Sequence, residues 1–86
     1  MSLNRHKGCE FLNKETEKKI GENIRRLRGK ANLTQEQLAA KFQLLGCDIT
    51  RSAIAKIEVG QRHIYPDEII LLQQILQVSF NDILTL

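Results

Sequence analysis

Apolar residues recur along this chain at intervals of three and four, the period of helices with one buried face. Ile20, Ile24, Leu27 and Ala31 form the first stripe, which predicts a helix from Asn13 or Thr16, either of which can cap, to about Lys30. Gly29 and Asn32 mark its exit. Leu38 and Phe42, with Ala39 beside them, form the second stripe. Thr34 and Gln37, three residues apart, have the spacing of a capping box, so this helix is expected from Gln35 to about Leu45, with Gly46 as its stop. Thr50 caps a third helix in which Ile54 and Ile57 face inward, Glu58 flanks them and Gly60 closes the end. Pro66 suits the first position of a fourth helix, and Asp67 and Glu68 complement its positive end. Ile69, Leu72, Ile75 and Leu76 form its stripe, widened by Ile70 and Leu71. Ser79 caps a short fifth helix with Asp82 three residues on. The expected fold class is all-α.

The third helix has a second side. At about 100° per residue, Ser52, Ala55, Lys56 and Val59 fall opposite Ile54 and Ile57, and Arg51 projects from the first turn. Small residues beside a cation allow close approach to a partner. The plain alternative is a solvated helix face with incidental charge.

Four pieces carry a family resemblance: Ile24-Arg25-Arg26-Leu27-Arg28; Leu33-Thr34-Gln35-Glu36-Gln37-Leu38-Ala39; Ile54-Ala55-Lys56-Ile57-Glu58 with Gly60; and Leu76-Gln77-Val78-Ser79-Phe80-Asn81-Asp82-Ile83-Leu84. In this order and register, residues 20–84 resemble the phage-repressor/Cro-type helix-turn-helix regulators, the xenobiotic-response-element (XRE) family. The resemblance implies a five-helix, lambda-repressor-like DNA-binding bundle over residues 13–86, preceded by a leader over 1–12. One departure stands out. Gln43 to Ile49 make the link between helices 2 and 3 several residues longer than the family's tight turn, and the simplest accommodation is one extra helical turn with Ile49 in the core.

Length and composition are consistent with one domain. A chain of 86 residues buries about 60–65% of its unfolded surface, and with 42% apolar residues it is expected to fold alone. No transmembrane run or signal-peptide pattern is present, so a cytoplasmic, nucleoid-associated protein of bacterial or phage origin is expected. Cys9 and Cys47 have no metal-ligand spacing with each other or with His6 and His63, and two free thiols are expected. The net charge of +3 is unevenly spread: residues 1–30 carry nine Lys/Arg against four Glu, whereas residues 66–86 carry three acids and no base. Such polarity suits a protein with one end toward a polyanion. Arg5, His6 and Lys7 form a small basic cluster in the leader, which is read as unstructured.

The functional expectation is a sequence-specific double-stranded-DNA-binding transcriptional regulator, a repressor acting as a homodimer on a near-palindromic operator. Base contacts are assigned to Arg51, Ser52, Ala55 and Lys56 of helix 3. The resemblance implies a phosphate contact from Gln35 and a partly buried ion pair between Arg28 and Glu58. Gln61, Arg62 and His63, just past helix 3, are read as a phosphate clamp; an ordinary polar loop is the alternative. The apolar surplus at Phe80, Ile83, Leu84 and Leu86, together with the family habit, points to dimerisation through the C-terminal helices. No nucleophile–base pair, metal-ligand spacing or phosphate-binding glycine loop is recognisable, so no enzyme, cofactor or metal is expected. The competing class is a protein-interaction module, such as an antitoxin or accessory subunit with DNA binding secondary.

Overall fold

The first helix begins well before its apolar stripe. In the computed structural model α1 spans Ser2–Lys30, upstream of the Asn13 or Thr16 start expected from the pattern. No proline interrupts this stretch, so helical hydrogen bonding can continue upstream of the stripe. The structure describes the backbone from Ser2 and the side chains from Lys14 to Leu86. The basic cluster of the leader and the state of Cys9 lie outside the described side chains. Four further helices follow: α2 Gln35–Leu44, α3 Arg51–Glu58, α4 Pro66–Leu76 and α5 Phe80–Leu84.

Each start is fixed by the chemistry read from the sequence. Thr34 Oγ1 accepts from Gln37 N at 3.0 Å while Gln37 Oε1 accepts from Thr34 N at 2.9 Å, which completes the capping box of α2. Thr50 Oγ1 caps α3 through Ala53 N, and Ser79 with Asp82 forms the box of α5. The ends share one device. After α1, α2 and α3, residues Asn32, Gly46 and Gly60 take left-handed φ of 58°, 85° and 81°. The following amide then bonds back over the last turn, as from Leu33 to Arg28, Cys47 to Phe42 and Gln61 to Lys56. α4 ends the same way at Gln77, φ 54°, a side chain with no intrinsic preference for that conformation. Ala31 belongs to the termination turn of α1 and is exposed, so it is not part of the buried stripe.

One core serves all five helices. It is built from Ile24 and Leu27 of α1, Leu38, Ala39 and Phe42 of α2, Ile49 of the link, Ile54 and Ile57 of α3, Leu72 and Leu76 of α4 and Ile83 of α5. The long link behaves as expected. α2 stops at Leu44, and Ile49 is buried with its carbonyl 3.3 Å from Gln43 Nε2. The extra turn leaves Leu44 85% and Leu45 49% exposed.

α1 packs against α3 and α5, and α2 packs against α3 and α4. The α1–α3 crossing is unusually close because Gly21 stands at it. A Cβ at this position would fall 2.3 Å from the Ile57 carbonyl oxygen and 2.8 Å from that of Glu58. At the other contact, buried Asn23 donates to the carbonyls of Ile83 at 2.9 Å and Thr85 at 2.7 Å, tying the C-terminal turn to α1. Phe80, Leu84 and Leu86 remain exposed, while Ile83 completes the core.

Candidate nucleic-acid interface

α3 is held from behind by a single carboxylate. Glu58 is buried, with 4% of its surface exposed. Its Oε2 accepts from Arg28 Nε at 2.6 Å, and its Oε1 accepts from Arg28 Nη2 at 3.1 Å and from Gln35 Nε2 at 3.0 Å. Arg28 Nη1 also donates to the Leu33 carbonyl at 2.8 Å. These hydrogen bonds to Glu58 push the Arg28 guanidinium above its usual value despite the opposing effect of burial. One acid therefore ties α3 to the end of α1 and the start of α2, with two of three contacts made by a planar fork that matches carboxylate geometry. Removing one partner would strand a charge, which is why such pairs fix geometry more reliably than they add net stability.

The opposite side of α3 is open. Arg51, Ser52, Lys56 and Val59 are exposed and Ala55 is half-buried, while Ile54, Ile57 and Glu58 of the same helix are buried. Beside this face, Arg28, Thr34, Gln35, Glu36 and Arg51 line a polar cleft between the starts of α2 and α3. Gln35 is half-buried there. Its side-chain amide bonds Glu58, so its place is that of a brace between helices.

The α3–α4 loop is arranged differently from a set of open cations. Gln61 is exposed, but Arg62 is committed. Its Nη1 donates to the His63 carbonyl at 2.8 Å and to Glu68 Oε1 at 3.0 Å, its Nη2 donates to Glu68 Oε2 at 3.1 Å, and its guanidinium lies 5.4 Å from the centre of the Tyr65 ring. Glu68 also accepts from Tyr65 N at 2.9 Å, closing the start of α4. Burial raises the Glu68 pKa, but the Arg62 fork and the Tyr65 amide outweigh it and hold the carboxyl below the usual range. His63, 68% exposed, turns Nδ1 to the Glu17 carboxylate on α1. Of the expected clamp, Gln61 has no side-chain hydrogen bond among the described residues, and Arg62 and His63 each face an acid of their own chain.

Sequence reasoning placed Glu68 only as an acid at the start of helix 4 and missed its pairing with Arg62, and it missed Asn23 and Gly21. Glu68 had a signal: with Pro66 at the first helical position, Glu68 falls where a capping-box acid belongs. Asn23 had a weaker one, as a polar residue beside the Ile20, Ile24 and Leu27 stripe. Cys47 is a half-buried free thiol, pushed up first by burial and then by the nearby Glu68 and Asp67 carboxylates.

An all-helical bundle that presents a short third helix, braced from behind by α1 and α2, defines a helix-turn-helix protein. Comparison with known families agrees: the helix-turn-helix family of the XRE type matches residues 24–83, and the chain belongs to that family. It is a DNA-binding regulatory domain and not an enzyme family. No curated protein and no solved structure matches the chain. Among the described residues no helix is long and apolar enough to cross a membrane.

Proposed function

We propose that this protein is a sequence-specific regulator of transcription, a repressor, that lays α3 in the major groove of duplex DNA and binds as a homodimer through its C-terminal helices. The observation that carries the reading is the division of α3: Glu58, Ile54 and Ile57 are buried and anchored, while Arg51, Ser52 and Lys56 are left to solvent. Arg51 and Lys56 are suited to guanine O6 and N7, at about 1–3 kcal/mol of discrimination per good contact. Ser52 can hydrogen-bond a base edge, and Ala55 allows close approach or contact with a thymine methyl. Phosphate contacts are assigned to the α2 start at Gln35 and to the loop at Gln61, with Arg62 and His63 shaping that loop and adding contacts where their acids release them.

The exposed Phe80, Leu84 and Leu86 support the dimer surface. A two-fold pair would set two α3 helices about 34 Å apart and select a near-palindromic site. Selection from random duplexes, read by sequencing, tests the reading. Enrichment of a two-fold symmetric motif is expected, and failure to enrich any sequence refutes it. The exposed Leu44 and Leu45 beside Ile75 favour one other reading, a module whose main partner is another protein. The purified chain would then fail to retard duplex DNA at about 150 mM salt, where non-specific binding is weak.

A further inference from the structure

We infer that Lys18 of α1, outside the stretch that matches the family, is a DNA-phosphate contact that extends the interface from the α3–α4 loop onto the first helix. The inference rests on the reading of α3 given above. The family match begins at Ile24, so nothing in that match assigns a role to this turn of α1.

The backbone of α1 runs directly beneath the turn that ends α3. A Cβ placed on Gly60 would lie 3.0 Å from Lys18 Cα and 3.1 Å from Lys18 Cβ. The turn that ends α3 therefore rests directly on Lys18. One residue earlier, Glu17 meets His63 of the same loop. Positions 17 and 18 thus form the floor under Gly60–His63, the segment that leaves the exposed face of α3. Lys18 is exposed, as is Lys14 one turn earlier on the same helix face. Glu17, the acid next to Lys18, is engaged by His63, and Glu15 lines a different groove with Thr16, Lys19 and Leu86 toward the C-terminus. A cation therefore sits beside the end of α3, with Glu17 and Glu15 engaged elsewhere and Glu22, one turn further on, exposed to solvent.

The loop geometry strengthens the case. Arg62 spends its fork on Glu68 and the His63 carbonyl. A duplex whose groove holds α3 would bring a phosphate strand past the end of that helix, where the carbonyls of α3 point and repel anions. A lysine at this point supplies the positive charge there as a flexible point charge, which suits phosphate without requiring fixed geometry.

The test is the salt dependence of duplex binding by the full chain, measured by fluorescence anisotropy on one fixed duplex. Variants are Lys18→Gln, Lys18→Arg, Lys19→Gln and Lys56→Gln. Loss of one phosphate contact lowers the slope of log affinity against log salt by about 0.9. Lys18→Gln is expected to lose about that amount, Lys18→Arg to keep the parent slope, and Lys19→Gln, on the other side of α1, to keep it too. Equal slopes for Lys18→Gln and Lys19→Gln, whether both lowered or both unchanged, overturn the inference. If Lys18→Gln lowers the melting temperature while the slope stays at the parent value, Lys18 only steadies the end of α3 and the inference is also overturned. A Lys56→Gln variant that binds like the parent would instead refute the reading of α3.

Discussion

Replacing Gly21 by alanine sets two effects of opposite sign against each other. Alanine is the better helix former by about 1 kcal/mol, so a helix in isolation would gain. In this fold the added methyl would lie 2.3 Å from Ile57 O, 2.8 Å from Glu58 O and 2.9 Å from Glu58 C. Ordinary contacts between such atoms are near 3.5 Å, so α1 and α3 must part by roughly 1 Å. The obstacles are backbone atoms and cannot swing away as a side-chain end can. Overpacking of this kind costs about 1–3 kcal/mol or more, and the same parting stretches the Arg28–Glu58 contacts on the next turns of α1. Set against the gain in helix propensity, the upper part of that range leaves a net loss of about 1–2 kcal/mol, which for a domain of this size lowers the melting temperature by roughly 4–16 °C. Gly29→Ala is the matched control in the same helix, because a Cβ there meets nothing within 4 Å. It is expected to raise the melting temperature by a few degrees. Thermal unfolding followed by circular dichroism measures both. If the two variants shift in the same direction, or Gly21→Ala matches the parent, the close crossing does not constrain the fold as argued.

Arg28→Ala strands the buried Glu58 carboxylate and is expected to cost roughly 3–5 kcal/mol, whereas Arg25→Ala, at an exposed position, should stay within about 0.5 kcal/mol; chemical denaturation of the two variants compares them, and equal midpoints would remove the buried pair from the account. Gln77→Gly relieves the left-handed φ of 54° at the end of α4 and is expected to stabilise by up to about 1 kcal/mol, read as a higher denaturation midpoint. Acid should weaken the fold through Glu68, whose carboxyl in the folded chain lies below its ordinary value of 4.5. A depressed acid contributes stability that is fully present above the unfolded value and is lost as pH falls through the folded one. Denaturation midpoints should therefore drop below about pH 4.5, and Glu68→Gln should drop less over that interval. Asp82, held low by the Ser79 amide and hydroxyl, acts in the same sense and remains in that variant.

Local chemistry made most of this fold legible. Thr34, Thr50 and Ser79 start their helices and Gly46 and Gly60 follow their ends because capping depends on residues within a few positions of one another. The Arg28–Glu58 pair was accessible through family resemblance, and the tilt of Glu58 toward Ile54 and Ile57 agreed with it. The start of α1 was not, because a helix can continue past its apolar stripe with nothing in the pattern to show it. The partners of Arg62 were also out of reach. A cation just past α3 reads as ready for phosphate until the path of the loop brings Glu68 under it, and that path depends on tertiary packing. Gly21 shows the same limit, since a glycine inside a helix says only that something comes near, and the α1–α3 crossing says what.

The separation of duties within α3 has a practical consequence for redesign. The buried side chains of these eight residues are Ile54, Ile57 and Glu58, with Ala53 packed beside them, so diversity introduced at Arg51, Ser52 and Lys56 leaves the scaffold's attachment points alone. A library randomised at those three outward positions should yield folded members at high frequency, while one randomised at the three inward positions should yield few.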